Sequence, residues 1–529
     1  MDTNITEKNQ NDRIGNPNSE KLLRVAIIGA GLGGLVTAKT FRDNGFEVVV
    51  FEKEPALGGV WTASRTYPGL RANNSRETYS FSDFAYDKSV GHFPYAEDVR
   101  NYLESYADNF NIRQFIRFNS EITQLVPGDT NTKPGFELTL CIGPEKTVET
   151  IYFPYVLICN GVFSKVSIPD IEGMGDYSGR ICHSSQCMDP DFANAKKVLT
   201  IGAGKSALDC AAAAALKDRD STIVFRKAHW MAPRYLPGGA RSDLRMVSRF
   251  TELFFNYPNQ TPFEKILHGP GKFLVKIWWA MQNAIIPKAA KMAPIMIPEH
   301  LMPNGFESIG QIDDYYDLLN AGRITAKRAS ISKFTETGVE LDNGEQVDAD
   351  LVVFATGWQR DLSFIDETLR NQIFNSGRFR LFRRILPPEQ QRLAFIGYFP
   401  TLSCPISSEI AAHWAAQCFS GALKLPTTAE MDNEIARLED WAKGRSADSS
   451  DGIFTGPYHS HYINDLMGDM NMQIDRTSNF FTEYLGTFLP QRYASLGQEL
   501  EQARDKNSPP QSRFYLSSLH AIAGVSIKF

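Results

Sequence analysis

The sequence predicts an α/β fold of two parallel-sheet units, the second inserted into the first, with a helical C-terminal extension. Three observations predict it. An apolar β-branched run, a glycine-rich turn, a helical pattern and a second apolar run occur in that order near residue 24 and again near residue 197. Apolar runs of the same kind return at Tyr155–Cys159 and Leu393–Gly397, on either side of the second unit. Beyond Pro426 the pattern is helical and polar, with a short loop expected at Ser446–Gly452.

The 529 residues leave room for about three or four domains. Apolar residues make up 43% and charged residues 22%, the balance of a globular chain able to bury a large core. The net charge of -6, without a long run of one sign, argues against a nucleic-acid partner. It gives no electrostatic reason to expect an anionic membrane surface. The seven cysteines are odd in number and sparse, which suits a reducing, cytoplasmic setting and no metal site. Residues 1–21 lack the apolar core of a signal peptide and read as a disordered tail.

No apolar run reaches the ~18 residues of a membrane span. The nearest is Phe273–Ile297, interrupted by Lys276, Lys288 and Lys291 and broken by Pro287 and Pro294. A buried or capping helix followed by a loop is expected there. The alternative is an apolar lid over a substrate site, or an edge that touches a membrane.

In the first unit, the strand Arg24–Ile28 runs into Gly29-Ala30-Gly31-Leu32-Gly33-Gly34, then a helix over Leu35–Arg42 stopped by Asn44-Gly45. The strand Glu47–Phe51 follows and ends at Glu52. This is a Rossmann-type pattern. Gly29 permits the tight turn, Gly31 lets a pyrophosphate approach, and Gly34 lets the helix pack on the strand. The helix start offers N–H groups and a positive dipole end to phosphate. Glu52 can accept from ribose hydroxyls and would repel a 2′-phosphate, which suits FAD or NAD.

The second unit repeats this with Lys197–Ile201, Gly202-Ala203-Gly204-Lys205-Ser206-Ala207, a helix over Leu208–Leu216 and the strand Ser221–Phe225. Arg226 and Lys227 replace the acid. A guanidinium grips a 2′-phosphate with two donors and lysine adds a point charge, which predicts NADP(H). The plainer reading is a pair of solvated surface cations. Together the units suggest a resident flavin and a diffusible nicotinamide that delivers hydride to it.

Further motifs carry a family resemblance. Gly58-Gly59-Val60-Trp61 follows Glu52, and the stretch Tyr67–Glu77 comes next. Tyr177-x-Gly179-x-x-x-His183 precedes the second unit, Leu351–Trp358 contains Ala355-Thr356-Gly357, and Tyr458 and Tyr462–Leu466 lie near the C-terminus. From about residue 22 to about residue 470 this order resembles the flavin-containing monooxygenases and, more distantly, the Baeyer–Villiger monooxygenases. The resemblance implies that NADPH reduces FAD and that one oxygen atom of dioxygen passes through a peroxyflavin to a small organic substrate. It implies FAD contacts at Gly29, Gly31, Gly34, Glu52, Gly59, Val60, Trp61 and Asn73. It implies NADPH contacts at Gly202, Gly204, Ser206, Arg226 and Lys227.

Two positions bear on the reaction. Asn73 matches an asparagine that flavin-containing monooxygenases use beside the flavin, where Baeyer–Villiger enzymes carry aspartate; it is the expected catalytic residue. Baeyer–Villiger enzymes also place an arginine shortly before a Tyr-Tyr pair. Here the pair is Tyr315-Tyr316, and no arginine occurs between Arg249 and Arg323. Less fixed charge would then stand opposite a peroxide anion. Both differences favour nitrogen or sulfur oxygenation over Baeyer–Villiger oxidation of a ketone or aldehyde.

The Tyr177…Cys187 stretch departs from the family's aromatic ends. That departure motivates one alternative, an NADPH-dependent flavin reductase or oxidase without oxygen transfer. Cys182 and Cys187 have the spacing of flavin disulfide reductases but lie in the crossing between domains, so no redox disulfide is expected. His183 reads as a packing residue. The expected domains are the FAD part at 22–165, the NADPH domain at 170–335, and the second FAD part with the helical extension at 336–529. Val339–Leu341 and Asp350–Phe354 are expected to resume the flavin sheet, followed by a helix over Glu409–Ala422. The 241–302 segment is longer than a nucleotide unit needs. A homo-oligomer and a peripheral membrane contact are both compatible with the chain.

Overall fold

Two five-stranded parallel sheets organise the chain. The structure is a computed structural model that describes residues 23–128, 134–304, 306, 309–375, 377–443 and 456–506. The expected tail at 1–21 and the expected loop at Ser446–Gly452 lie outside the described residues.

The first sheet has the order Leu393–Phe395, Tyr155–Ile158, Arg24–Ile28, Glu47–Phe51, Ile116–Arg117. Val25, Ala26 and Ile27 are wholly buried, as a central strand covered on both faces requires. The second sheet has the order Ile324–Arg328, Asp220–Phe225, Lys197–Ile201, Leu351–Phe354, Arg180–His183. The glycine-loop helices span Leu32–Asp43 and Lys205–Leu216. Both start three residues before the expected positions, because Gly31 and Gly204 already serve as N-caps.

The second unit repeats the plan of the first in its details. Each carries a three-stranded antiparallel meander before its returning strand. In the first the strands are Ser120–Pro127, Phe136–Ile142 and Thr147–Phe153. In the second they are Ile331–Thr335, Gly338–Leu341 and Gln346–Asp348.

This corrects the expected boundary at 335/336. Leu351–Phe354 does not resume the flavin sheet; it pairs with Lys197–Ile201 on one side and Arg180–His183 on the other. The flavin sheet resumes at Leu393–Phe395, beside Tyr155–Ile158. A short run that is apolar on both faces fits the middle of either parallel sheet, so its pattern carries no address.

The 241–302 segment forms the helices Asp243–Met246, Arg249–Glu252, Pro262–His268 and Lys272–Ala289. The later helix His459–Asp469 clasps it. His461 lies between two buried carboxylates, Nδ1 at 2.7 Å from Glu252 and Nε2 at 2.6 Å from Glu264. Burial lowers the imidazole pKa, but the carboxylates outweigh it and raise it to about 10. Buried Arg249 donates to Glu483 Oε1 and Asn464 Oδ1, both at 2.9 Å. The Tyr462–Leu466 motif is thus an anchor for the extension. The helix expected over Glu409–Ala422 spans Cys404–Phe419 and packs on Leu32–Asp43.

The expected burial of 273–297 is also corrected. The Lys272–Ala289 helix continues through Pro287, which falls in its last turn, and its buried residues are Trp279 and Ile286. Most of its apolar side chains face outward.

Candidate active site between the two nucleotide loops

The first loop is closed by protein. Gly29 has φ +106, and a Cβ there would stand 2.7 Å from the Cys159 carbonyl oxygen. A Cβ on Gly34 would overlap the Gly29 carbonyl oxygen. A Cβ on Gly31 would meet Gly59 Cα at 3.5 Å, so the Gly59–Trp61 turn lies against the helix start. That helix has no side-chain cap and no acid in its first turn, which leaves its orphan N–H groups for an anion. Val60 is half-buried, and Trp61 meets Tyr79 edge-on at 5.9 Å.

Glu52 does more than the spacing suggested. Its Oε2 accepts from Ala30 N–H at 2.7 Å and its Oε1 from Glu54 N–H at 3.0 Å. The carboxylate therefore ties the glycine loop to the end of the second strand. Burial raises its pKa while the two N–H donors oppose the shift. Each oxygen keeps a lone pair for a hydroxyl.

The second loop is open. Gly202 has φ +129, and a Cβ there would stand 2.5 Å from Ala355 O. The Ala355-Thr356-Gly357 motif thus lies beneath this turn. A Cβ on Gly204 would meet no protein atom within 4 Å. Tyr67 crosses from the first unit to Asp209 Oδ2 at 2.9 Å and to the Ser206 hydroxyl. Asp209 also pairs with Lys205. Arg226 and Lys227 are exposed at the end of the returning strand, and neither makes an ion pair among the described residues. Tight glycine turns, uncapped helix starts and terminal groups of opposite sign, Glu52 buried and Arg226 and Lys227 exposed, fit two different dinucleotides.

Asn73 stands at the seam between the units, where its Oδ1 accepts from Gln311 N–H at 3.2 Å. Gln311 Nε2 donates to Ser242 Oγ at 2.9 Å, and Asp243 Oδ2 accepts from Ser75 N–H at 2.9 Å. Arg234, buried to 3% exposure, donates from Nη1 to Ala72 O at 2.7 Å and from Nε to Asp313 Oδ1 at 2.8 Å. A guanidinium therefore lies next to Asn73 after all. The expectation of a missing cation followed chain order toward Tyr315-Tyr316, whereas this arginine arrives from before the 241–302 segment. Arg234 Nη2 and Gln311 Oε1 are buried without a protein partner. Such atoms cost about 1–3 kcal/mol each unless water or a ligand meets them. The seam is thus furnished for polar groups from outside the chain. No spacing in the sequence marks Arg234 or Gln311, and Tyr67 stands out only as the first residue of the Tyr67–Glu77 motif; the one signal for Arg234 is its place directly after the apolar stretch Trp230–Pro233.

The crossing between units is structural. Tyr177 donates to Ala349 O at 2.8 Å. His183 Nδ1 meets Ser185 Oγ at 2.9 Å and its Nε2 meets Gly357 O at 3.1 Å. Burial lowers its pKa, which keeps it a neutral packing residue. Cys182 and Cys187 form a buried disulfide, contrary to expectation. The strand end and the turn after it bring their Cα atoms to 6.0 Å, a separation that a disulfide spans.

Comparison with known proteins gives the family. The family described as flavin-binding monooxygenase-like matches residues 22–485. The chain belongs to this family. It is a flavin-dependent monooxygenase, and its cofactors are FAD and NADPH. "Probable flavin-containing monooxygenase 1" of Arabidopsis thaliana is 26% identical over 90% of this chain and 97% of that protein. The structure of S-allyl-L-cysteine S-oxygenase from Allium sativum superposes with a TM-score of 0.55 at 19% identity, covering 91% of this chain and 93% of that one. A steroid monooxygenase bound to NADP gives 0.61 at 18%, covering 84% and 96%. These two neighbours, with differently named activities, share the monooxygenase's fold, so the choice of reaction lies in its side chains. Among the described residues no helix is long and apolar enough to cross a membrane.

Proposed function

We propose that this monooxygenase oxygenates a nitrogen or sulfur atom of a small organic substrate, with Asn73 beside the flavin as the catalytic residue. When bound, FAD reduced by NADPH supplies the activation of dioxygen. The chain supplies the rest. Gly29, Gly31 and Gly34 with the uncapped helix start receive the FAD pyrophosphate, and Glu52 its ribose. Gly59, Val60 and Trp61 wall the same cofactor. Gly202, Gly204 and Ser206 receive the NADPH pyrophosphate, and Arg226 and Lys227 grip its 2′-phosphate.

The observation that carries this reading is the setting of Asn73. Gln311 N–H engages its Oδ1, which fixes the amide and leaves Nδ2 to donate without adding charge at the reacting centre. A second reading, Baeyer–Villiger oxidation of a ketone or aldehyde, draws support from Arg234, whose buried positive charge lies one residue from Asn73. Asp313 neutralises part of that charge, which keeps heteroatom oxygenation ahead.

The test supplies NADPH and isotopically heavy dioxygen to the holoenzyme with methyl phenyl sulfide and, separately, with cyclohexanone. One heavy oxygen in the sulfoxide is expected. A labelled lactone without sulfoxide would move the assignment to the second reading. NADPH consumption that yields hydrogen peroxide alone would count against both.

A further inference from the structure

The exposed apolar face of the Lys272–Ala289 helix calls for a partner. Phe273, Ile277, Met281 and Ile285 recur at four-residue spacing and are 58%, 58%, 45% and 47% exposed. Side chains at that spacing share one side of a helix. Phe263 and Ile266, on the preceding helix Pro262–His268, are exposed to 59% and 61%. The opposite side is anchored: Trp279 is buried and donates from Nε1 to Phe254 O at 3.1 Å. Large apolar side chains exposed together on neighbouring helices mark an interaction site.

Charge selects the partner. Between Glu264 and Glu299 there are five lysines, Lys265, Lys272, Lys276, Lys288 and Lys291, and no acidic residue. Glu264 is itself turned inward onto His461. Lys291 pairs with Asp317; the other four are exposed and make no ion pair among the described residues. The chain's net charge of -6 hides this basic patch.

We infer that this face docks the enzyme on an anionic lipid surface, the helix lying flat with its apolar side chains among the acyl chains and its lysines at the headgroups. An interfacial helix combines these same features, an outward apolar face and flanking lysines. Lysines near an anionic surface each strengthen binding several-fold. A second copy of the chain suits the face less well. A two-fold contact sets the same surface against itself, which would oppose lysine to lysine with no acid between them. The inference does not depend on where either cofactor sits.

The test is co-sedimentation of the flavin-loaded full chain with phosphatidylcholine vesicles, with and without phosphatidylglycerol, at low and high salt. The variants are Ile277→Glu/Met281→Glu and Lys272→Glu/Lys276→Glu. Their side chains are exposed, so flavin content and NADPH turnover should match the parent. The parent should pellet with phosphatidylglycerol vesicles, and about tenfold less without that lipid or at high salt. Each variant should lose binding by about tenfold or more. A parent that stays in solution with phosphatidylglycerol, or variants that pellet equally, would overturn the inference. So would a parent dimer that the apolar variant converts to monomer while vesicles leave it unaffected.

Discussion

The two nucleotide loops share one backbone plan and differ in what covers them. In the first, Gly31 packs against Gly59 and Glu52 holds Ala30, so protein braces the turn on two sides. In the second, the space at Gly204 is empty of protein and Arg226 and Lys227 stand free at the surface. The difference teaches how one fold serves two duties. A braced loop suits a cofactor that stays, and an open one suits a cofactor that must enter and leave at every turnover.

Glycine substitutions should break the comparison most visibly. Gly34→Ala drives a Cβ into the Gly29 carbonyl, and loss of bound flavin is expected. Gly204→Ala meets nothing in the protein, so stability should change by about 1 kcal/mol or less. The NADPH KM should nevertheless rise about tenfold or more, because the close approach of the phosphates would be lost. Flavin absorbance and steady-state kinetics check both. An unchanged KM in Gly204→Ala would mean that no ligand uses that space.

Openness at the loop does not mean that the second unit is loosely held. His461→Asn would leave Glu264 a buried charge without its cation and Glu252 with His459 as its remaining side-chain partner, a loss of about 3–5 kcal/mol near neutral pH. Urea unfolding measures it. The His461 pKa is raised in the folded state, so its contribution is full below the ordinary histidine value and is lost as pH rises through about 10.

The first unit holds a buried acid with the opposite effect near neutrality. Glu409 accepts from Ser82 N–H at 2.9 Å, and burial raises its pKa to about 7. A carboxyl raised in this way costs nothing below its ordinary pKa, grows costly as pH climbs from there to about 7, and keeps its full cost above that. Glu409→Gln should therefore stabilise the protein at pH 8 by something on the order of 3 kcal/mol and leave it unchanged at pH 4.5. Equal melting shifts at both values would show that Glu409 stays ionised throughout.

Much of this was legible in the sequence because it is local. Strand, glycine turn, helix and terminal charge all lie within about thirty residues, and their order is a direct consequence of how a βαβ unit is built. The two glycine loops and the contrast of Glu52 with Arg226 could be read in that way. What was missed depends on contacts between distant segments. Leu351–Phe354 could have joined either sheet. Arg234 reaches Ala72 across more than a hundred and sixty residues of chain. Cys182 and Cys187 become partners only once the strand ends and turns. The Lys272–Ala289 helix reads as buried because its composition is apolar; exposure depends on the helices beside it.

The most direct measurement compares NADPH with NADH in the parent and in Arg226→Ala. If the charge at the end of the second strand divides the two sites, the substitution should raise the NADPH KM about tenfold or more while the NADH KM moves less than about twofold. Equal changes for both nucleotides would contradict that division and return Arg226 to the role of a solvated surface cation.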